Sequence, residues 1–166
     1  MKMKRFTLAA ALTLAAGSTL LSGPATEAQP VDICNGQWLW QITFDGRPQI
    51  EEAIAAFGED GGLVLYSPSV VPALPGSGDD DELHVSAGVG SWAIAEEADL
   101  TCTFSAVRLL ADDDGGSIGK VLFQGTVQVV ANGAGMEGTF TFDQSSGTGR
   151  TVNSGSGAVV GSATGA

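Results

Sequence analysis

The chain has 166 residues, with 19 acidic against seven basic side chains and a formal net charge of −12. An acid excess of that size repels phosphate backbones and anionic lipid, which argues against nucleic-acid binding and membrane-surface adhesion. With one histidine and two cysteines that are expected to pair, the chain is also poorly equipped to hold a structural zinc ion.

The N-terminus reads as a secretory signal. Lys2, Lys4 and Arg5 precede an apolar run from Phe6 to Leu21, Ser22-Gly23-Pro24 breaks it, and Thr26-Glu27-Ala28 places small residues where a signal peptidase cuts. The expected boundaries are a signal peptide over 1–28, a β-barrel domain over 29–160 and a disordered tail over 161–166. Removing the signal leaves four basic residues, Arg47, Arg108, Lys120 and Arg150, against eighteen acidic ones, a net charge of −14. No second apolar stretch approaches the length of a bilayer span, so no membrane insertion is expected of the mature chain. A secreted or periplasmic location is oxidising, and there Cys34 and Cys102 are expected to form a disulfide.

From Gly36 onward, short runs alternate apolar with polar residues and end in Gly, Asp or Asn turns. Trp38, Trp40, Ile42 and Phe44 share one face of the first run, and Leu39, Gln41 and Thr43 the other. Asp45-Gly46-Arg47-Pro48 makes a turn. Gln49 to Phe57 suits a helical turn or a strand, and its flanking turns favour a strand. Leu63 to Ser67 is the third strand. Residues 68–88 hold Pro68, Pro72, Pro75 and the acidic stretch Asp79-Asp80-Asp81-Glu82, and are expected to form an irregular loop that covers the mouth of a barrel.

Gly90 to Ile94 resumes the strand pattern. In Leu100 to Leu110, Cys102, Phe104 and Ala106 alternate with Thr101, Thr103 and Ser105, after which Arg108 falls on the apolar face. Either the register holds and Arg108 points inward, or a bulge near Ala106 turns it to solvent. Val121, Phe123, Val127 and Val129 mark the next strand, Phe140 and Phe142 the one after. Arg150 to Val160 is the last, rich in Gly and Ser. Eight strands joined mostly by short turns predict an all-β fold, a single eight-stranded antiparallel up-and-down barrel. A β-sandwich is the alternative, and only 68–88 supplies the long connection it needs.

Gly36-Gln37-Trp38, opening the first strand of this meander, resembles the Gly-x-Trp signature of lipocalins and related calycin barrels. That resemblance implies that Trp38 closes one end of the barrel and that a basic residue near the last strand, here Arg150, packs across it. Gly90-Ser91-Trp92 repeats the pattern. The lipocalin Thr-Asp-Tyr motif and C-terminal helix have no counterpart. The chain also looks like small exported bacterial barrels, and like the allene oxide cyclase-like and spirotetronate cyclase-like barrels.

No catalytic constellation stands out. A nucleophilic triad would have to use His84, and no Gly-x-Ser-x-Gly elbow is present. Asp112-Asp113-Asp114 and Asp79 to Glu82 are consecutive, without the alternate ligands of a calcium loop, and read as solvated tips. Glu51-Glu52 and Glu96-Glu97 are neighbours, so in a strand only one of each pair can point inward. The candidate ligand-binding residues are Arg108 and Tyr66 for a polar end, with Trp40, Phe104, Phe123 and Phe142 as an aromatic lining. The expected function is binding of a small, largely apolar molecule inside the barrel, with no cofactor. The alternatives are a cyclase or isomerase acting by cavity shape, and a structural or envelope protein with a filled core.

Overall fold

The computed structural model describes residues 33–72, 82–95, 100–112, 114–130 and 133–164. The segment expected as a signal peptide, residues 73–81, Glu96-Glu97 and Asp113 lie outside the described residues. Ten strands follow in chain order: β1 (Gly36–Phe44), β2 (Ile50–Phe57), β3 (Gly62–Tyr66), β4 (Val70–Pro72), β5 (Glu82–Val85), β6 (Gly88–Ile94), β7 (Thr101–Ala111), β8 (Ser117–Val130), β9 (Gly135–Ser146) and β10 (Thr151–Ala163).

Eight of these close into an antiparallel barrel, in the ring order β1-β2-β3-β6-β7-β8-β9-β10 and back to β1. The fold is all-β, an up-and-down meander compatible with a calycin-like barrel. Closure runs from Trp38 opposite Ala163 to Phe44 opposite Gly157. It removes the open edge that a sandwich would keep.

The segment expected as an irregular loop carries a short hairpin instead. Val70 pairs with His84 and Val71 with Leu83, and β5 continues onto the β7 edge through His84–Ala111 and Val85–Leu110. Pro72 is accommodated because β4 is an edge strand, with no neighbour on its outer side. β10 also runs further than expected. Gly161 to Ala163 belong to it, because they pair with Trp40, Leu39 and Trp38 on β1.

The bulge expected near Ala106 is absent. β7 pairs with β8 in unbroken register from Thr101 to Leu110, and the irregularity falls between Leu110 and Ala111. Cys102, Phe104, Ala106, Arg108 and Leu110 are therefore all buried on one face.

The core is filled by rings set against glycines. Trp40 stands directly opposite Gly161, Phe104 opposite Gly125, Phe140 opposite Gly157 and Phe142 opposite Gly155. A Cβ placed on Gly155 would lie 2.7 Å from the Phe142 ring, and one on Gly161 2.9 Å from Trp40 Cδ1. Each glycine clears the volume that the ring across from it occupies. This is why β10 is so rich in glycine.

The two Gly-x-Trp tryptophans do equivalent work at one end of the barrel. Trp38 donates its indole N–H to the Cys34 carbonyl and Trp92 to the Gly58 carbonyl, both at 2.9 Å. The Cys34–Cys102 disulfide ties the chain before β1 to the start of β7. Arg150, however, cannot pack on Trp38. Trp38 pairs with Ala163 at the far end of β10, which separates the two by roughly 40 Å along the strand at about 3.3 Å per residue.

Replacing Gly155 or Gly161 by Ala is expected to destabilise the fold by about 1–3 kcal/mol through overpacking. Gly147→Ala, where an added Cβ meets nothing closer than 3.9 Å, is expected to stay within about 0.5 kcal/mol of the parent. Urea denaturation of the three variants measures the contrast. Reduction of the disulfide, which closes a separation of 68 residues, is expected to cost about 4 kcal/mol in the chain-entropy account.

Candidate functional site

Two aromatic clusters fill the barrel. Trp40 packs on Phe57 and Phe104, with ring centroids 5.8 and 5.4 Å apart, and Phe57 packs on Trp92. Phe44 meets Phe140 and Phe142 edge-on at 5.4 and 5.6 Å, and Phe123 completes this second group. A cavity of about 30 Å³ lies where the clusters meet, lined by Trp40, Phe44, Phe104, Phe123 and Phe140 together with Arg108 and Glu51. It has room for about two water molecules. A second cavity of about 20 Å³ shares Phe44, Glu51, Arg108 and Phe123, and is roofed by Val71, Leu83 and Val85 of the β4–β5 hairpin.

The strand parities place the polar pair. On β2, Ala53, Ala55 and Phe57 are buried. Glu51 continues that inward set while Glu52 faces solvent. On β7 the unbroken register carries Arg108 inside, where it is only 8% exposed. Its aliphatic stem runs past Gly88, whose added Cβ would sit 3.1 Å from Arg108 Cγ.

The guanidinium is held by neutral oxygens. Nε donates to the Ser86 carbonyl at 3.0 Å, and Nη2 donates to the Ser67 hydroxyl. Burial lowers the Arg108 pKa from its ordinary value, opposed by the charge of Glu51. Burial likewise raises the Glu51 pKa, and the charges of Arg108 and Arg47 counteract it only in part. Among the described residues no carboxylate contacts this guanidinium, an uncommon arrangement, because charge desolvation is normally offset by an ion pair.

The wall beside this pair is open. β2 pairs with β3 from Ile54 to Phe57, so among the described residues Ile50 to Ala53 have no strand on that side. A groove of about 600 Å³ occupies the gap between Gln49–Glu52 of β2 and Pro68, Val70 and Val71 near β4. Glu51 lines both this groove and the interior cavities, which makes it the residue at the threshold.

Of the residues expected at the site, Arg108, Trp40, Phe104 and Phe123 come together on the cavity wall. Phe142 is buried in the second aromatic cluster but does not line the cavity. Tyr66 lies outside. Leu63 and Leu65 take the inward positions of β3, so Tyr66 faces solvent at 54% exposure. Its hydroxyl does not reach the interior. Sequence reasoning left open which of Glu51 and Glu52 points inward and did not place either at the site; the signal for Glu51 was its even spacing from Phe57. Trp40, 1% exposed, keeps an indole N–H with no hydrogen-bond partner among the described residues.

Comparison with known proteins gives no matching family model, curated protein or solved structure.

Because the folded pKa of Glu51 is raised, the native state binds its proton more readily than the unfolded chain does. The group therefore opposes folding at neutral pH, and that penalty fades as pH falls through its folded pKa toward the ordinary glutamate value of 4.5. Glu51→Gln is expected to melt higher than the parent at pH 7, with the difference closing toward pH 4. Thermal melts of both proteins across that range measure it.

Proposed function

We propose that the protein binds a small molecule with an apolar body at the Arg108 end of its barrel. The carrying observation is the buried guanidinium, hydrogen-bonded among the described residues to neutral oxygens, on the wall of an aromatic cavity. The aromatic lining takes up apolar surface, and Arg108 orients the polar end. The unpartnered Trp40 indole N–H adds a donor on the same wall. The gap beside β2 is the route inward, with Glu51 at its threshold.

The Gly36-Gln37-Trp38 opening, the buried Trp38 and the closed meander support a calycin-like, lipocalin-like reading of the barrel. Arg150 departs from that pattern. The disulfide supports an exported, oxidising location, secreted or periplasmic. Fold likeness alone carries no function.

One observation favours a second reading. An interior with about 30 Å³ of free volume is nearly full, which suits a structural or envelope protein that works through its acidic exterior. A cyclase or isomerase calls for a larger shaped cavity, and the packed interior does not favour it.

Mass spectrometry of the mature protein purified from its native host is expected to detect a stoichiometric, extractable small molecule. Ala53→Val, which adds two methyl groups to the cavity wall, is expected to retain less of it, at some cost in melting temperature. A protein that carries nothing extractable, and whose melting temperature no apolar probe raises, would favour the filled-core reading.

A further inference from the structure

The two hydrogen bonds of Arg108 join places that are far apart in sequence. Ser67 is the first residue after β3 and precedes the β4–β5 hairpin, and Ser86 is the first residue after it. One guanidinium on β7 thus grips both stems of the hairpin. The grip is reinforced at its exit, where Ser86 N–H donates to the Leu109 carbonyl and Leu109 N–H donates to the Ser86 hydroxyl.

Among the described residues, strand pairing holds β5 to β7 at His84 and Val85, and β4 pairs with β5. Its apolar side chains Val71, Leu83 and Val85 roof the second cavity, directly beside Arg108. The interior is too full to admit an organic ligand unless something moves. The hairpin is the part of the described wall that Arg108 itself ties to the barrel and that roofs a cavity.

We propose that Arg108 is a latch. In the free protein it holds the stems of the β4–β5 hairpin, and an amphipathic monoanion opens the site by taking the guanidinium in place of Ser67 and Ser86. A carboxylate suits this exchange. It is planar and accepts two parallel N–H bonds from a guanidinium, a stronger arrangement than a hydroxyl and a carbonyl provide. The aromatic wall selects an apolar tail for the same ligand. This inference rests on the binding function proposed above and assigns that site its ligand class.

Hydrogen exchange of the mature protein, with decanoate and 1-decanol as probes, tests the latch, and tryptophan fluorescence reads binding separately. Decanoate is expected to raise exchange at 66–71 and 83–88 by about tenfold or more, on the scale of losing the two charge-assisted hydrogen bonds to Ser67 and Ser86. Decanol is expected to bind more weakly and to leave those segments protected. Ser67→Ala, which removes one tether and keeps the charge, is expected to raise exchange in the same segments without any probe. Arg108→Gln is expected to do so too, and to abolish the preference for decanoate. If both probes bind alike and hairpin exchange does not change, the latch is wrong while interior binding stands. If Ser67→Ala leaves the hairpin protected, the latch is also wrong. If neither probe binds, both readings fall.

Discussion

The barrel depends on setting large rings against residues that have no side chain. An eight-stranded barrel has an interior just wide enough for side chains, and this one must hold Trp38, Trp40, Phe44, Phe57, Trp92, Phe104, Phe140 and Phe142, all buried. They fit because Gly125, Gly155, Gly157 and Gly161 stand directly across the sheet from Phe104, Phe142, Phe140 and Trp40. The fit also fixes register. Sliding β10 by two residues would keep its inward face inward, yet would bring Val159 across from Trp40 where Gly161 now stands. Interiors packed to this density resist even one added methyl.

The same packing determines where a site can be. The end of the barrel closed by Trp38, Trp92 and the disulfide has its indole donors satisfied by turn carbonyls. The other end holds Arg108 and Glu51 in a shell of aromatic rings, beside the one stretch where β2 lacks a strand on its β3 side. Desolvation disfavours the charge on each of these two groups. Most of the chain resolves its polar groups through the barrel's own ladder. This end places charge in the interior and ties it to the stems of an inserted hairpin, which is the arrangement that sets it apart as a site.

Much of the architecture was legible in the sequence, because period-two alternation is a direct imprint of a half-buried strand. The eight barrel strands, the inward set from Trp38 to Phe44 and the pairing of Cys34 with Cys102 all follow from residue pattern and cysteine count. What escaped was what depends on neighbours. Arg108 on the apolar face left a bulge near Ala106 open, yet Val107 beside it pairs between Val89 and Leu122 in regular register. The β4–β5 hairpin is only three and four residues per strand, too short for alternation to register among prolines. Tyr66 was misplaced by chemistry, since a hydroxyl suggested a ligand contact while parity put Leu65 inside. Arg150 was matched to Trp38 by family likeness, and strand direction places the two at opposite ends. The glycines of β10 are visible in the sequence as composition alone and become the condition for the core once Phe140 and Phe142 are seen across from them.

A crystal structure of the mature protein purified from its native host tests the account most directly. The account predicts density for a small molecule between the two aromatic clusters, its polar end on Arg108 and the β4–β5 hairpin displaced from the barrel. An interior filled by the same rings, with Arg108 still bound to Ser67 and Ser86 and nothing between the clusters, would contradict it and turn attention to the acidic exterior.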